Sequence, residues 1–262
     1  MSAPPVPDLG TATLAMLRLS WTRLVRGRKL RLGIVATVLV VVAAIAARYA
    51  AEGSAATDVV EAGVRVGFFG LLVYLLPFLF TSGTIAEEVE SRTFSFLALR
   101  PAGRIAVALG KYIAGAGMSV ILLAGGVLLL HVAAYATEPT PMIDELPGTL
   151  RTIGAITLLA LCYSAICMFW GSLAVQASGL VSALHLATLE FGLSFWPGFL
   201  RFGSMSYLAA QIAGLPKGGF APDWVPDIET WVCGVVIATV TLLFVGFATL
   251  VVRTSELGFG KA

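Results

Sequence analysis

Few side chains in this 262-residue chain are equipped for chemistry. The histidines are His131 and His185, the cysteines are Cys162, Cys167 and Cys233, and Glu190 is the one acid set well inside an apolar run. Proton-transfer catalysis needs titratable groups converging on one substrate. His185 and Glu190 are five residues apart, about 140° around an α-helix, so they do not share a face. No other paired acids or Ser/His arrangement suits catalysis, and no metal ligand set is visible. The cysteines are odd in number, lie in apolar runs and lack zinc-site spacing, so they read as small buried hydrophobes. A Gly-rich phosphate loop followed by Lys and Ser/Thr is absent. The chain is therefore not expected to hydrolyse ATP itself, to be an enzyme, or to carry a cofactor.

Glu190 asks for a different explanation. An ionised group in hydrocarbon costs about 2.5–3.5 kcal/mol on insertion scales and normally faces a protein interior or a cavity. It either lines a translocation path or subunit interface, or is a structural carboxylate with satisfied partners. His131, near the end of another apolar run, has the place of an interfacial residue.

The elements that must hold these groups are dictated by composition. Hydrophobic residues make up 58% of the chain and charged residues 12%, with a net charge of +2, and the mean hydropathy is +0.92. A soluble domain carries about 25% charged residues. The shortfall excludes an ordinary soluble enzyme, a disordered tail and a nucleic-acid-binding module, and so small a net charge implies no nucleic-acid partner. Six apolar stretches, 32–47, 66–86, 108–136, 152–174, 179–196 and 231–252, approach the ~20 residues that cross a bilayer. In lipid they must be helices, because backbone groups have no water to bond. The fold class is an all-α polytopic membrane protein, one transmembrane domain over 1–262, with the lipid bilayer as its solvent. Gly63 and Gly67 invite close helix packing, and Pro77 is expected to kink the second span.

Residues 11–31 form an N-terminal amphipathic interfacial helix. Leu14, Leu17, Trp21, Leu24 and Val25 share a face, with Arg23 opposite and a basic flank. The region before the first apolar run is about 30 residues, too long for a signal n-region, so the first span is read as uncleaved. Six spans put both termini on one side. If that side is cytoplasmic, it holds Arg18, Arg23, Arg26, Arg28, Lys29, Arg31, Arg92, Arg100, Arg104, Lys111, Arg253 and Lys261. The other side holds only Arg48, Arg65, Arg151, Arg201 and Lys217, so the positive-inside rule places the N and C termini in the cytoplasm. The long outer loop 197–230 contains four prolines, with 205–213 as a candidate short helix. Lys111 is expected to snorkel to the inner headgroups. Gln176, at the short turn between the fourth and fifth spans, is a candidate second cytoplasmic contact.

The most informative segment is 83–111. Glu87, Glu88, Glu90 and Arg92 end the second apolar run, so the chain leaves the membrane there. Val89, Thr93, Phe96 and Leu97 share a helix face, and Glu88 and Arg92 are spaced as an i,i+4 pair. Arg100-Pro101 stops this helix, because Pro disfavours helical geometry in the residue before it. Arg104 begins the return, and Gly110-Lys111 re-enters the next span.

The ordered set Gly83, Ile85, Glu87, Glu90, Thr93, Leu97, Pro101, Arg104 and Gly110-Lys111 resembles that of ABC transporter permeases of the type-2 class. The layout of the whole chain is similar to that family, and the specific motif covers about thirty residues. It departs at Ala102-Gly103, where the family often has a branched apolar residue and Ser. The resemblance implies that 87–101 is a cytoplasmic coupling helix docking on a separate ATPase subunit. ATPase coupling would involve Glu87, Glu88, Glu90, Arg92, Thr93, Phe96, Leu97, Arg100, Pro101 and Arg104. It further implies a second permease copy or related permease, two ATPase copies that bind ATP and Mg, and a place in the inner or plasma membrane. Export, or mechanical work on a lipid-embedded or periplasmic partner, is the implied task. A non-transporting membrane scaffold or sensor is the alternative, and an integral-membrane enzyme the weaker one.

Overall fold

The protein's structure, a computed structural model, describes residues 8–50, 55–90, 103–195, 198–215 and 228–254. Among them every regular element is helical. The α-helices are α1 (Leu9–Arg26), α2 (Arg28–Ala50), α3 (Ala56–Ala62), α4 (Val73–Thr81), α5 (Ala86–Glu90), α6 (Arg104–Ala134), α7 (Pro139–Asp144), α8 (Leu146–Leu173), α9 (Ser178–His185), α10 (Gly192–Phe195), α11 (Met205–Ala213) and α12 (Thr230–Thr254). A π-helical stretch, Gly63–Leu72, joins α3 to α4. Pro77 sits inside the continuous α4. The departure from α geometry thus falls in the turns before the proline, where backbone ladders commonly rearrange.

Five helical segments are long and apolar enough to cross a membrane: Arg28–Ala50, Ala56–Glu88, Arg104–Ala134, Leu146–Leu173 and Thr230–Thr254. Their length and composition are those of a multi-pass membrane protein. The apolar run at 179–196 is built differently, as α9, a π-helical turn Leu186–Phe191 and α10.

Helix α8 is the hub. Its apolar segment is 67% buried against 17% for α2 and α12, and it packs on α4, α6, α11 and α12. Its buried face includes Ile156, Leu159, Tyr163 and Ile166, with Cys162 and Cys167, and all three cysteines are free and buried. Without a hydrophobic force between helices in lipid, close approach depends on small residues. A Cβ on Gly171 would collide with the Ser82 carbonyl oxygen, and one on Gly67 with the Val40 side chain. A Cβ on Gly63 would collide with Leu130 of α6 and lie 3.1 Å from Ala44 Cβ of α2. The small residues singled out in the sequence therefore seat the first two spans on each other.

Helix α1 begins at the N-cap Asp8, whose carboxylate accepts from the Thr11 N–H, and ends at Gly27. The Thr11 hydrogen bonds hold that carboxyl below its usual range. Ala12 and Met16 are buried against α6. Trp21 lies over Gly117, while Leu14 and Val25 of the amphipathic face remain exposed.

Candidate functional site

The segment leaving α4 is where charge concentrates. After Thr81 the chain makes a turn, and α5 starts with the Glu87 N–H on the Gly83 carbonyl at 2.9 Å. Neighbouring positions on a helix point about 100° apart, so Glu87 and Glu88 reach different partners. Glu87 accepts from Lys29 in the first turn of α2. Glu88 accepts from Lys111 of α6 and, at 3.3 Å, from Arg23 of α1. Lys111 also donates to the Thr84 carbonyl at 2.7 Å.

Gly110 permits this arrangement. A Cβ there would lie 2.7 Å from Met16 Cβ and 2.9 Å from the Leu17 nitrogen, so α1 rests directly on α6 and carries Arg23 to Glu88. Lys111 corrects the sequence reading. It is 6% exposed and ion-paired inside the protein rather than snorkelling, because a buried carboxylate competes with the headgroups for its ammonium. Glu88 is likewise internal, at 6% exposure, whereas Glu87 remains half exposed. Glu88 is thus an internal brace and Glu87 a surface group.

The remaining residues of the motif divide in two. Glu90 closes α5, and Arg104 opens α6 and donates to the Arg253 carbonyl at 3.3 Å. Arg92, Thr93, Phe96, Leu97, Arg100 and Pro101 lie outside the described residues. Gly103 adopts φ +65° at the N-cap of α6, a region that favours glycine over serine. The 3₁₀ turn 175–177, which carries the exposed Gln176, packs beside α5.

A cavity of ≈ 380 Å³ opens between α1, the start of α2 and α5. Arg23, Arg28, Lys29 and Lys111 line it, against Glu87 and Glu88.

Glu190 occupies the second polar site. It is 5% exposed and lies in the π-helical turn. Tyr163 donates to its Oε2 at 2.9 Å and the Met205 N–H at 2.8 Å, while Ser204 Oγ donates to its backbone carbonyl at 3.0 Å. Tyr74 stacks on Tyr163, with ring centroids 5.2 Å apart. Tyr163 is ten residues from the end of α8 at Leu173, about 15 Å, or half the thickness of the hydrocarbon core. A carboxylate at this depth thus sits on the N-terminus of α11, where orphan N–H groups and the helix dipole favour negative charge. At the other end of α11, Arg151 donates to the Ile212 carbonyl, and Gly214 (φ +75°) gives the guanidinium room. The helix is clamped by an acid at its positive end and a base at its negative end.

His185 is not part of this network. Its ring lies 5.9 Å from Trp170 and 6.2 Å from Phe244. His131, in the last turn of α6, is fully buried, bonded to the Met142 carbonyl at 3.0 Å and to Thr149 Oγ1 at 2.8 Å. Sequence reasoning missed Lys29, Tyr163 and Arg151 as partners. Lys29 and Arg151 carried only the signal of a charge near a span end, and Tyr163 was one aromatic in an apolar run.

No protein-family model matches the chain, and no curated protein matches it.

Proposed function

We propose that this chain is the permease subunit of an ATP-driven ABC transporter of the type-2 class. In this reading the chain crosses the inner or plasma membrane six times, with both termini cytoplasmic. The sixth crossing is the broken segment 178–195 together with α11. Proximity of Arg104 to Arg253 at one end and of Arg151 to Ile212 at the other supports it. Two permease copies, or one copy with a related subunit, pair in the membrane. Two separate ATPase subunits bind ATP and Mg and dock on the coupling helix 87–101.

One observation carries the reading. The short element that leaves the second span is tied by ion pairs to three other helices, α1 through Arg23, α2 through Lys29 and α6 through Lys111. A displacement imposed on α5 by a closing ATPase dimer is thereby shared among helices that are otherwise linked by small-residue packing. That is the connection needed to turn closure below the membrane into a shift between inward- and outward-open states. The buried clamp on α11 keeps the opposite half of the bundle rigid while this happens. Export, or mechanical work on a partner in or beyond the membrane, is the task this reading assigns to it.

Affinity purification of the full chain tests this. A P-loop ATPase is expected to co-purify, and Glu87→Lys with Glu90→Lys is expected to uncouple its ATPase activity while assembly persists. If no ATPase associates and the reversals are silent, the reading fails.

A further inference from the structure

The joint between α1 and α2 carries more positive charge than the ion pairs of Arg23 and Lys29 to α5 use. Between Leu9 and Ala50 there is no acidic residue, yet Arg18, Arg23, Arg26, Arg28, Lys29 and Arg31 fall within 14 positions. The cavity of ≈ 380 Å³ opens at this joint with four cations and two carboxylates in its lining. Both carboxylates are already engaged, Glu87 by Lys29 and Glu88 by Lys111 and Arg23. Arg28 has no carboxylate within ion-pair distance among the described residues. Ser20 adds a hydroxyl to the lining, and Leu24 an apolar wall.

Depth identifies what such a cavity meets. Arg28 is the first residue of one spanning helix and Glu88 the last of another, so the cavity lies at the level of the lipid headgroups. Below Arg28, at i+4, i+7 and i+11, stand Leu32, Val35 and Leu39, which are 60%, 55% and 61% exposed. They share the Arg28 face of α2 and offer an apolar track directly beneath its guanidinium. The volume is within the range of small-ligand sites, about 300–1,000 Å³. A guanidinium matches phosphate in a bidentate fashion, and an ammonium adds a point charge.

We propose that this cavity is a binding site for an anionic phospholipid. Arg28 and Lys29 hold its phosphate, and its acyl chains lie along Leu32, Val35 and Leu39. The bound phosphate competes with Glu87 for Lys29, so the headgroup sets how firmly α5 is tied to α2. Lipid binding does not depend on the transporter reading and stands or falls separately.

The test uses the full chain reconstituted in phosphatidylcholine vesicles with a minor fraction of phosphatidylglycerol. The protein is extracted in neutral detergent, and native mass spectrometry counts the phosphatidylglycerol that stays bound. Wild type is expected to retain phosphatidylglycerol in preference to phosphatidylcholine. R28Q/K29Q is expected to lose retention roughly 30-fold, about fivefold for each charge. R28Q alone disturbs no ion pair among the described residues and is expected to lose about fivefold. R18Q/R26Q removes the same charge from α1 outside the cavity and is expected to change retention less than about twofold. Equal losses in the two double variants, no preference in wild type, or displacement of the lipid by millimolar inorganic phosphate would each overturn the proposal.

Discussion

At the end of the bundle Glu88 meets two full positive charges, Lys111 and Arg23, while at mid-membrane depth Glu190 meets none among the described residues. The same side chain is accommodated by two kinds of chemistry. Near the headgroups Arg23 keeps much of its surface exposed, and a charge cluster retains part of its hydration. At depth that is impossible, and Glu190 is held instead by a phenol, a serine and the N-terminus of α11. The difference suits the places they occupy. An ion-pair cluster at a helix end can be rearranged by an incoming charge, whereas a dipole clamp in the interior fixes one geometry.

Breaking the pairs separates the two cases, and the largest effect is expected at Lys111. Lys111→Met leaves Glu88 buried beside only the exposed Arg23, and a broken buried pair costs about 3–5 kcal/mol. Denaturant unfolding of the purified protein reads it, and the double variant Lys111→Met with Glu88→Gln is expected to recover most of the loss, because no charge remains stranded. Glu190→Leu is expected to destabilise by about 1–3 kcal/mol, since the Tyr163 hydroxyl and the Met205 N–H lose their acceptor. Glu190→Gln keeps an acceptor and is expected to stay within about 1 kcal/mol of wild type by the same measurement. If the glutamine variant unfolds as readily as the leucine variant, the attraction between the negative charge and the α11 dipole outweighs the hydrogen bonds, and the contrast with Glu88 narrows. Tyr163→Phe removes one of several donors, with an expected loss of about 0.5–1.5 kcal/mol in the same unfolding assay. The smallest effect belongs to Glu138→Gln. It breaks the Arg48–Glu138 pair at 2.7 Å at the far end of the bundle, where the Glu138 side chain is 41% exposed. Its thermal midpoint is expected to shift by the equivalent of less than about 1 kcal/mol.

What was legible in the sequence follows the same division. Apolar length marks helices reliably, because the bilayer leaves no other way to satisfy a backbone, and five such segments stand where the apolar runs predict them. The acids were visible because charge is scarce in this chain, and the start of α6 at Arg104 was visible in the pattern around Pro101. Partners were not visible. Lys29 and Lys111 are 58 and 23 positions from the acids they meet, and only the packing of separate helices brings such distant residues together. The fifth apolar run was legible only as hydropathy, for a related reason. Its hydropathy fits a span, but a π-helical turn and the carboxylate of Glu190 divide its work with α11, and hydropathy does not register a helix supported by a clamp.

The central claim is that the end of the bundle carrying α5 faces a separate ATPase. Cys162, Cys167 and Cys233 are buried, so a thiol introduced by Glu87→Cys, where the side chain is 47% exposed, is the reactive one. A short bifunctional crosslinker applied to membranes containing the full chain is expected to join that thiol to a P-loop ATPase. The yield is expected to change when ATP is added. The same treatment of Ile143→Cys, a 72% exposed position at the opposite end, is expected to give no such product. Absence of an ATPase adduct from the Glu87 position, or an equal adduct from position 143, would contradict the account.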